Sequence, residues 1–95
     1  MKKITRKRIG TRMYDTETAK KIASGAWYHH YDGDLYLKRT GEFFFVTIRG
    51  GIYMPVSEYW YDFIPLDLED VKNRVKVRDS EDICDPKFKD IIGMR

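Results

Sequence analysis

Apolar and polar positions alternate most clearly between residues 34 and 49. Leu35-Tyr36-Leu37-Lys38 and Glu42-Phe43-Phe44-Phe45-Val46-Thr47-Ile48-Arg49 flank Arg39-Thr40-Gly41. Two bulky runs around a short Gly-containing connection predict a β-hairpin, with Gly41 supplying a positive φ. Register decides its faces, because a slip of one residue exchanges them. If Arg39 pairs with Glu42, then Leu37 meets Phe44, Leu35 meets Val46, and the aliphatic residues share one face. If Lys38 pairs with Glu42, Leu35 and Leu37 join Phe43 and Phe45. The first register is preferred because it gathers the aliphatic side chains. In both, the second face keeps aromatics that something must cover.

Elsewhere the pattern is shorter-ranged. Residues 16–24 read as a helix: Asp15 can cap it, Glu17 suits the positive end of its dipole, and Ala19, Ile22 and Ala23 form one stripe. Gly25 then serves as terminator. The bulky residues 26–31 suit a strand or an ordered loop, and Asp32-Gly33 is a turn signal. Residues 3–9 give a first strand. Pro55 opposes a continuous strand through the aromatic stretch 52–63, so a loop and a short strand near 60–64 are expected. Pro65-Leu66-Asp67 opens a second helix, 67–76, with Asp67 as N-cap and Leu68, Val71 and Val75 on one side. The expected fold class is α+β: a small antiparallel sheet built on the 34–49 hairpin, with two short helices at about 16–24 and 67–76. The order of residues 77–95 is left open.

A length of 95 residues sets the expectation of a single domain. No apolar run approaches the ~20 residues that cross a bilayer, so no membrane association is expected. The single cysteine, Cys84, excludes an internal disulfide and fits a reducing cytoplasm. The net charge of +3 is unevenly spread. Lys2, Lys3, Arg6, Lys7, Arg8 and Arg12 lie in the first twelve residues, which hold no acid, so the remainder is net acidic. Such a segment can contact phosphate, or can simply be a solvated end.

Few residues suggest chemistry. His29 and His30, adjacent in a strand, would point to opposite faces and not chelate together. Asp32, Asp34 and Glu42 would meet at a hairpin end, where solvated turn acids are common. Cys84 sits between Asp82 and Asp85, which disfavour a thiolate. Gly50-Gly51 matches no phosphate loop. No nucleophile, base and orienter come together in the pattern, so neither an enzyme nor a cofactor is expected. The aromatics are the informative feature, at 15% of the chain with seven tyrosines. Tyr and Trp dominate binding hot spots.

Met13-Tyr14-Asp15-Thr16-Glu17-Thr18-Ala19, Leu35-Tyr36-Leu37-Lys38-Arg39-Thr40-Gly41-Glu42-Phe43-Phe44 and Ile64-Pro65-Leu66 occur in that order. Over roughly residues 12–75 this resembles small proteins encoded by phages, plasmids and other mobile elements of Gram-positive bacteria. Residues 52–63, unusually aromatic, and the longer tail after Lys76 depart from that pattern. Some small proteins of this kind look like anti-CRISPR proteins, which bind a CRISPR effector and block it. The resemblance implies a non-enzymatic inhibitor acting by protein–protein contact in the bacterial cytoplasm, its partner a host defence protein such as a Cas9-type effector nuclease. It carries over no catalytic residues.

On that reading Tyr36, Phe43, Phe45, Tyr59, Trp60 and Tyr61 are the anchors, and Asp67, Glu69 and Asp70 engage basic residues of the partner. The alternative is a small nucleic-acid-binding module. It would use Lys2, Lys3, Arg6, Lys7, Arg8 and Arg12 for phosphates and exposed aromatics for bases. Open hairpin edges would also support a homodimer.

Overall fold

The computed structural model describes residues 6–49 and 60–95. Tyr59, Lys2, Lys3 and the Gly50-Gly51 break lie outside them, as does the side chain of Trp60. Within the described residues the chain is mostly strand. β1 (Arg6–Ile9) and β2 (Arg12–Asp15) form a two-stranded ribbon. β3 (Lys20–Tyr28), β4 (Tyr31–Leu37), β5 (Phe43–Arg49), β6 (Trp60–Leu66), β7 (Val75–Val77) and β8 (Gly93–Met94) form one sheet, in the order β6-β5-β4-β3-β7-β8. One α-helix, α1 (Leu68–Arg74), joins β6 to β7. The expectation of a small sheet with two helices is therefore corrected: six strands share the sheet, and the segment expected as the first helix supplies one of its inner strands.

The 16–24 helix fails for a local and a tertiary reason. A helix this short is marginal without a packing partner. Asp15 does cap, but it caps a turn: its carboxylate accepts from the Glu17 N–H (2.9 Å) and its carbonyl from the Ala19 N–H (3.1 Å). From Lys20 onward the backbone pairs with β4. Two register shifts, between Lys21 and Ala23 and between Ala23 and Ala26, let Ile22, Ala23 and Ala26 all be buried, which strict alternation would forbid. Gly25, expected to end a helix, has φ +60 inside the second irregularity. Its positive-φ capacity is used for a bulge. The β3–β4 turn falls at His29-His30, where His29 takes φ 56, and not at Asp32-Gly33, which lies within β4. Gly33 is required there by closeness: a Cβ would stand 2.1 Å from the Val46 carbonyl oxygen.

The 34–49 hairpin forms in the register that was not preferred. Leu37 pairs with Phe43, Tyr36 with Phe44 and Leu35 with Phe45. The connection decides it. The Lys38 N–H donates to the Glu42 carbonyl (2.8 Å), the Gly41 N–H donates to the Lys38 carbonyl (2.9 Å), and Gly41 has φ +92. The Lys38 ammonium also meets the Glu42 carboxylate at 2.9 Å. Both outer edges of this hairpin are occupied, β4 by β3 and β5 by β6, so the edges invoked for a homodimer are closed.

Pro65 lies next to the end of β6, an edge strand, where a missing N–H is tolerated. Asp67 then caps α1 in a reciprocal box with Asp70 (2.8 and 3.3 Å). The helix stops at Arg74, short of 76, because Arg74-Val75-Lys76-Val77-Arg78 alternates with the period of a strand. Val75 and Val77 are fully buried and Lys76 is exposed. Residues 78–95 wrap back over the sheet through two short 3₁₀ turns. Ile83 bridges Ala23, the Cys84 N–H donates to the Ile22 carbonyl (2.7 Å), and Ile92 is buried with Ile83.

The sheet thus has two dissimilar faces. One is closed by α1 and the wrapping segment, over Leu35, Phe43, Phe45, Leu66, Val71, Val75 and Val77. On the other, the β1–β2 ribbon covers only part of the surface, where Tyr14 meets Phe44 edge-on at 5.4 Å between Tyr36 and Phe63.

Candidate nucleic-acid interface

The strand register places one set of charged side chains on the ribbon side. Lys21 pairs with Tyr36, Trp27 with Asp32, and Lys76 with Trp27. Asp32, Asp34 and Tyr36 share a face of β4 because they alternate. Trp27 and Lys76 therefore share that face, while Val75 and Val77 take the opposite one.

Trp27 is the centre of a cationic cluster. The Arg95 guanidinium lies 4.2 Å from its ring centroid and that of Arg78 lies 5.3 Å away. Arg74, Lys76, His29 and Asn73 complete a shallow cavity of about 280 Å³ with Trp27 and Arg95. Arg74 also contacts Asp70 (3.8 Å) and the His29 ring nitrogen (3.4 Å). Guanidinium groups held against an indole keep their N–H edges free for an oxyanion, and an arginine fork suits phosphate. Nothing in the sequence reading assigned this cluster. Its signal was the alternation of Arg and Lys with Val from 74 to 78, which a helical reading concealed.

Beyond the Trp27–Asp32 pair the same face opens into a groove of about 380 Å³, lined by Thr16, Asp32, Asp34, Tyr36, Val46 and Tyr61 among others. Asp34 accepts from the Gly25 N–H (3.1 Å) and pairs with Lys21 (3.5 Å). Burial works against the Lys21 charge, but Asp34 and the neighbouring Tyr36 hydroxyl outweigh it and hold the Lys21 pKa above its ordinary value. Burial likewise raises the Tyr36 hydroxyl, against the pull of Lys21.

The residues expected to bind a partner do not form one surface. Phe45 (0% exposed), Phe43 (6%) and Tyr36 (7%) are core residues, because the register turns Phe43 and Phe45 onto the closed face and the ribbon side shelters Tyr36. Tyr61 is half-buried in the groove wall. Asp67 and Asp70 are engaged with each other's backbone, and Glu69 is exposed beside them on α1.

The basic ribbon divides by alternation. Lys7 pairs across from Tyr14 and Arg12 across from Ile9, so both face the sheet. There Lys7 meets Asp62 (3.8 Å) and Arg12 meets Glu42. Arg6 and Arg8 face away and are exposed.

The groups considered for chemistry are also separated. Asp32 and Asp34 lie at the opposite end of the hairpin from Glu42. Cys84 is exposed. Among the described residues no group of three or more His, Cys, Asp or Glu side chains is placed to hold a metal ion, and no helix is long and apolar enough to cross a membrane. No protein-family model, curated protein or solved structure matches this chain.

Proposed function

We propose that this chain is a nucleic-acid-binding module that holds a single strand along the ribbon side of its sheet. The observation that carries the reading is the cluster of Arg74, Lys76, Arg78 and Arg95 around Trp27. Four cations converge from α1, β7 and the segments after β7 and β8 onto one aromatic side chain, beside an open groove. Phosphates would sit on the guanidinium and ammonium groups, and bases would turn toward the groove. Arg6 and Arg8 on the outer side of the ribbon add a second exposed basic patch. A single strand suits this face better than a duplex, because a groove beside a phosphate site needs a base that can leave its stack. The inhibitor reading has less support, since three of its aromatic anchors are core residues.

The test is fluorescence anisotropy of a short labelled oligothymidylate against salt. Four neutralised phosphates would give a log–log slope of roughly −3. Lys76→Glu with Arg78→Glu should abolish binding, whereas Arg6→Glu with Arg8→Glu should weaken it several-fold. All four side chains are exposed, so folding should be retained and is checked by circular dichroism. Undiminished binding in a folded Lys76→Glu/Arg78→Glu protein would overturn the assignment.

A further inference from the structure

We infer that the groove beside Trp27 reads a guanine base, with Asp32 accepting from its Watson–Crick edge. The inference rests on the nucleic-acid reading above and names what that site selects.

Three observations meet at one place. First, Trp27 and Asp32 are cross-strand neighbours on one face, so the cation cluster and the groove are contiguous. The cations attract phosphate and the groove carboxylates repel it. This polarity orients a nucleotide with its phosphate over Lys76 and Arg78 and its base over Asp32.

Second, the two groove carboxylates are not equivalent. Asp34 is held by the Gly25 N–H and by Lys21. Asp32 has an exposed side chain, while its main chain is fixed by the Thr47 hydroxyl, which donates to the Asp32 carbonyl at 2.6 Å. Its backbone is thus fixed, and its side chain is exposed in the groove lining.

Third, the walls suit a flat ring. Val46 and Ile48 are apolar, and Tyr36 and Tyr61 are aromatic. A cavity of about 380 Å³ lies at the small end of the range for ligand sites, the size for a base and not for a large ligand.

The chemistry of the edge chooses the base. An ionised carboxylate only accepts, and its two oxygens match two adjacent donors. Guanine presents N1–H and the N2 amine side by side. Adenine and cytosine each set one amine beside a ring-nitrogen lone pair, and thymine or uracil sets one N–H between two carbonyls. Each of these would place a lone pair against an Asp32 carboxylate oxygen, a repulsion where guanine makes a hydrogen bond.

The experiment compares labelled strands at one salt concentration: thymines only, the same strand with one guanine, and the same strand with inosine, which lacks the N2 amine. The guanine strand should bind about tenfold tighter than the thymine strand, as expected of one bidentate base contact. Inosine should lose most of that gain. In Asp32→Asn the guanine-to-thymine ratio should fall to about one while the thymine strand still binds. The ratio is the readout, because removing an anion beside the cation cluster strengthens every strand.

Guanosine monophosphate forms the second arm. Tight binding that depends on Asp32 assigns the site to a free nucleotide, and weak competition assigns it to a strand. Equal affinity for guanine and thymine strands, or a preference that survives Asp32→Asn, overturns the base readout and leaves the phosphate site standing. Absence of binding to any strand and to the nucleotide overturns both.

Discussion

The two faces of the six-stranded sheet are built from the same strands and solve different problems. The closed face buries Phe45, Leu35, Val71, Val75 and Val77 completely, between the sheet, a helix and a wrapping segment that share one core cluster. The ribbon face buries Phe44 just as completely, but through a stack of rings: Phe44 lies parallel to Tyr36 (5.2 Å) and to Phe63 (5.9 Å), with Tyr14 edge-on. The ribbon above it is fastened at its margins by Lys7–Asp62, Arg12–Glu42 and the Lys38 ammonium 4.5 Å from the Tyr14 ring centroid. Equal burial therefore does not mean equal mechanical role. One face holds the fold together. The other also carries charged side chains and an open groove.

Paired truncations sharpen this contrast. Phe45→Ala should cost about 3–5 kcal/mol, a large share of the roughly 5–15 kcal/mol that keeps a domain folded. Phe44→Ala should fall at or below the lower end of that range, because a two-stranded ribbon can settle onto the gap while a six-stranded sheet cannot. Chemical denaturation of both variants checks this, and equal losses would show that the ribbon is as rigid as the helical layer.

Next in size is the cap of the closed face. Asp67→Ala removes the half of the reciprocal box that the Asp67 carboxylate accepts from the Asp70 N–H and should cost about 1 kcal/mol by the same measurement.

The wrapping segment carries a pH-dependent fastening. Asp85 accepts from the Lys20 ammonium (2.9 Å) and from the Lys87 N–H (3.1 Å), which lower its pKa below the ordinary carboxylate value. A depressed carboxylate stabilises the fold fully above its unfolded pKa, about 3.9, and loses that contribution as pH falls through the folded value. Asp85→Asn should therefore flatten the acid side of the stability profile below about pH 4, measured as thermal midpoint against pH.

The smallest effect is expected at the ribbon margin. Arg12→Ala breaks one exposed ion pair and should change global stability by under about 1 kcal/mol. Amide exchange in residues 6–15 should nevertheless speed up, while exchange in β4 and β5 stays unchanged. Faster exchange across the whole sheet would erase the distinction between the faces.

Legibility in the sequence followed the range of the interactions. The hairpin around Arg39-Thr40-Gly41 was readable because its turn is local, although its register depended on hydrogen bonds at Lys38 and Gly41 that apolar patterning does not encode. Asp67 as N-cap was readable for the same reason, and so was a strand near 60–64. The 16–24 segment was not, because its pairing partners lie at residues 35–37 and 83–84, and two bulges hid the strand period behind a helix-like stripe. Of the site, the basic segment at 6–12 was visible as composition, but composition cannot tell Arg6 and Arg8 from the ion-paired Lys7 and Arg12. The Trp27 cluster was invisible as a cluster, since Trp27, Lys76 and Arg95 meet only through sheet order.

That last arrangement links recognition to folding. β3 finds β4 at once across a two-residue turn, but its other edge is filled only when residues 75–77 return to Trp27 and Tyr28. Arg95 is tied to that edge through its N–H to the Val77 carbonyl (2.9 Å). Contacts this distant in the chain are slow to close. A half-assembled sheet therefore lacks the Trp27 cluster, and under the proposed function a ligand that binds only the finished cluster draws the equilibrium toward it. Occupancy should be felt as slower opening of β3, β7 and β8 together, so the ligand would act as the last clasp of the sheet as well as its cargo.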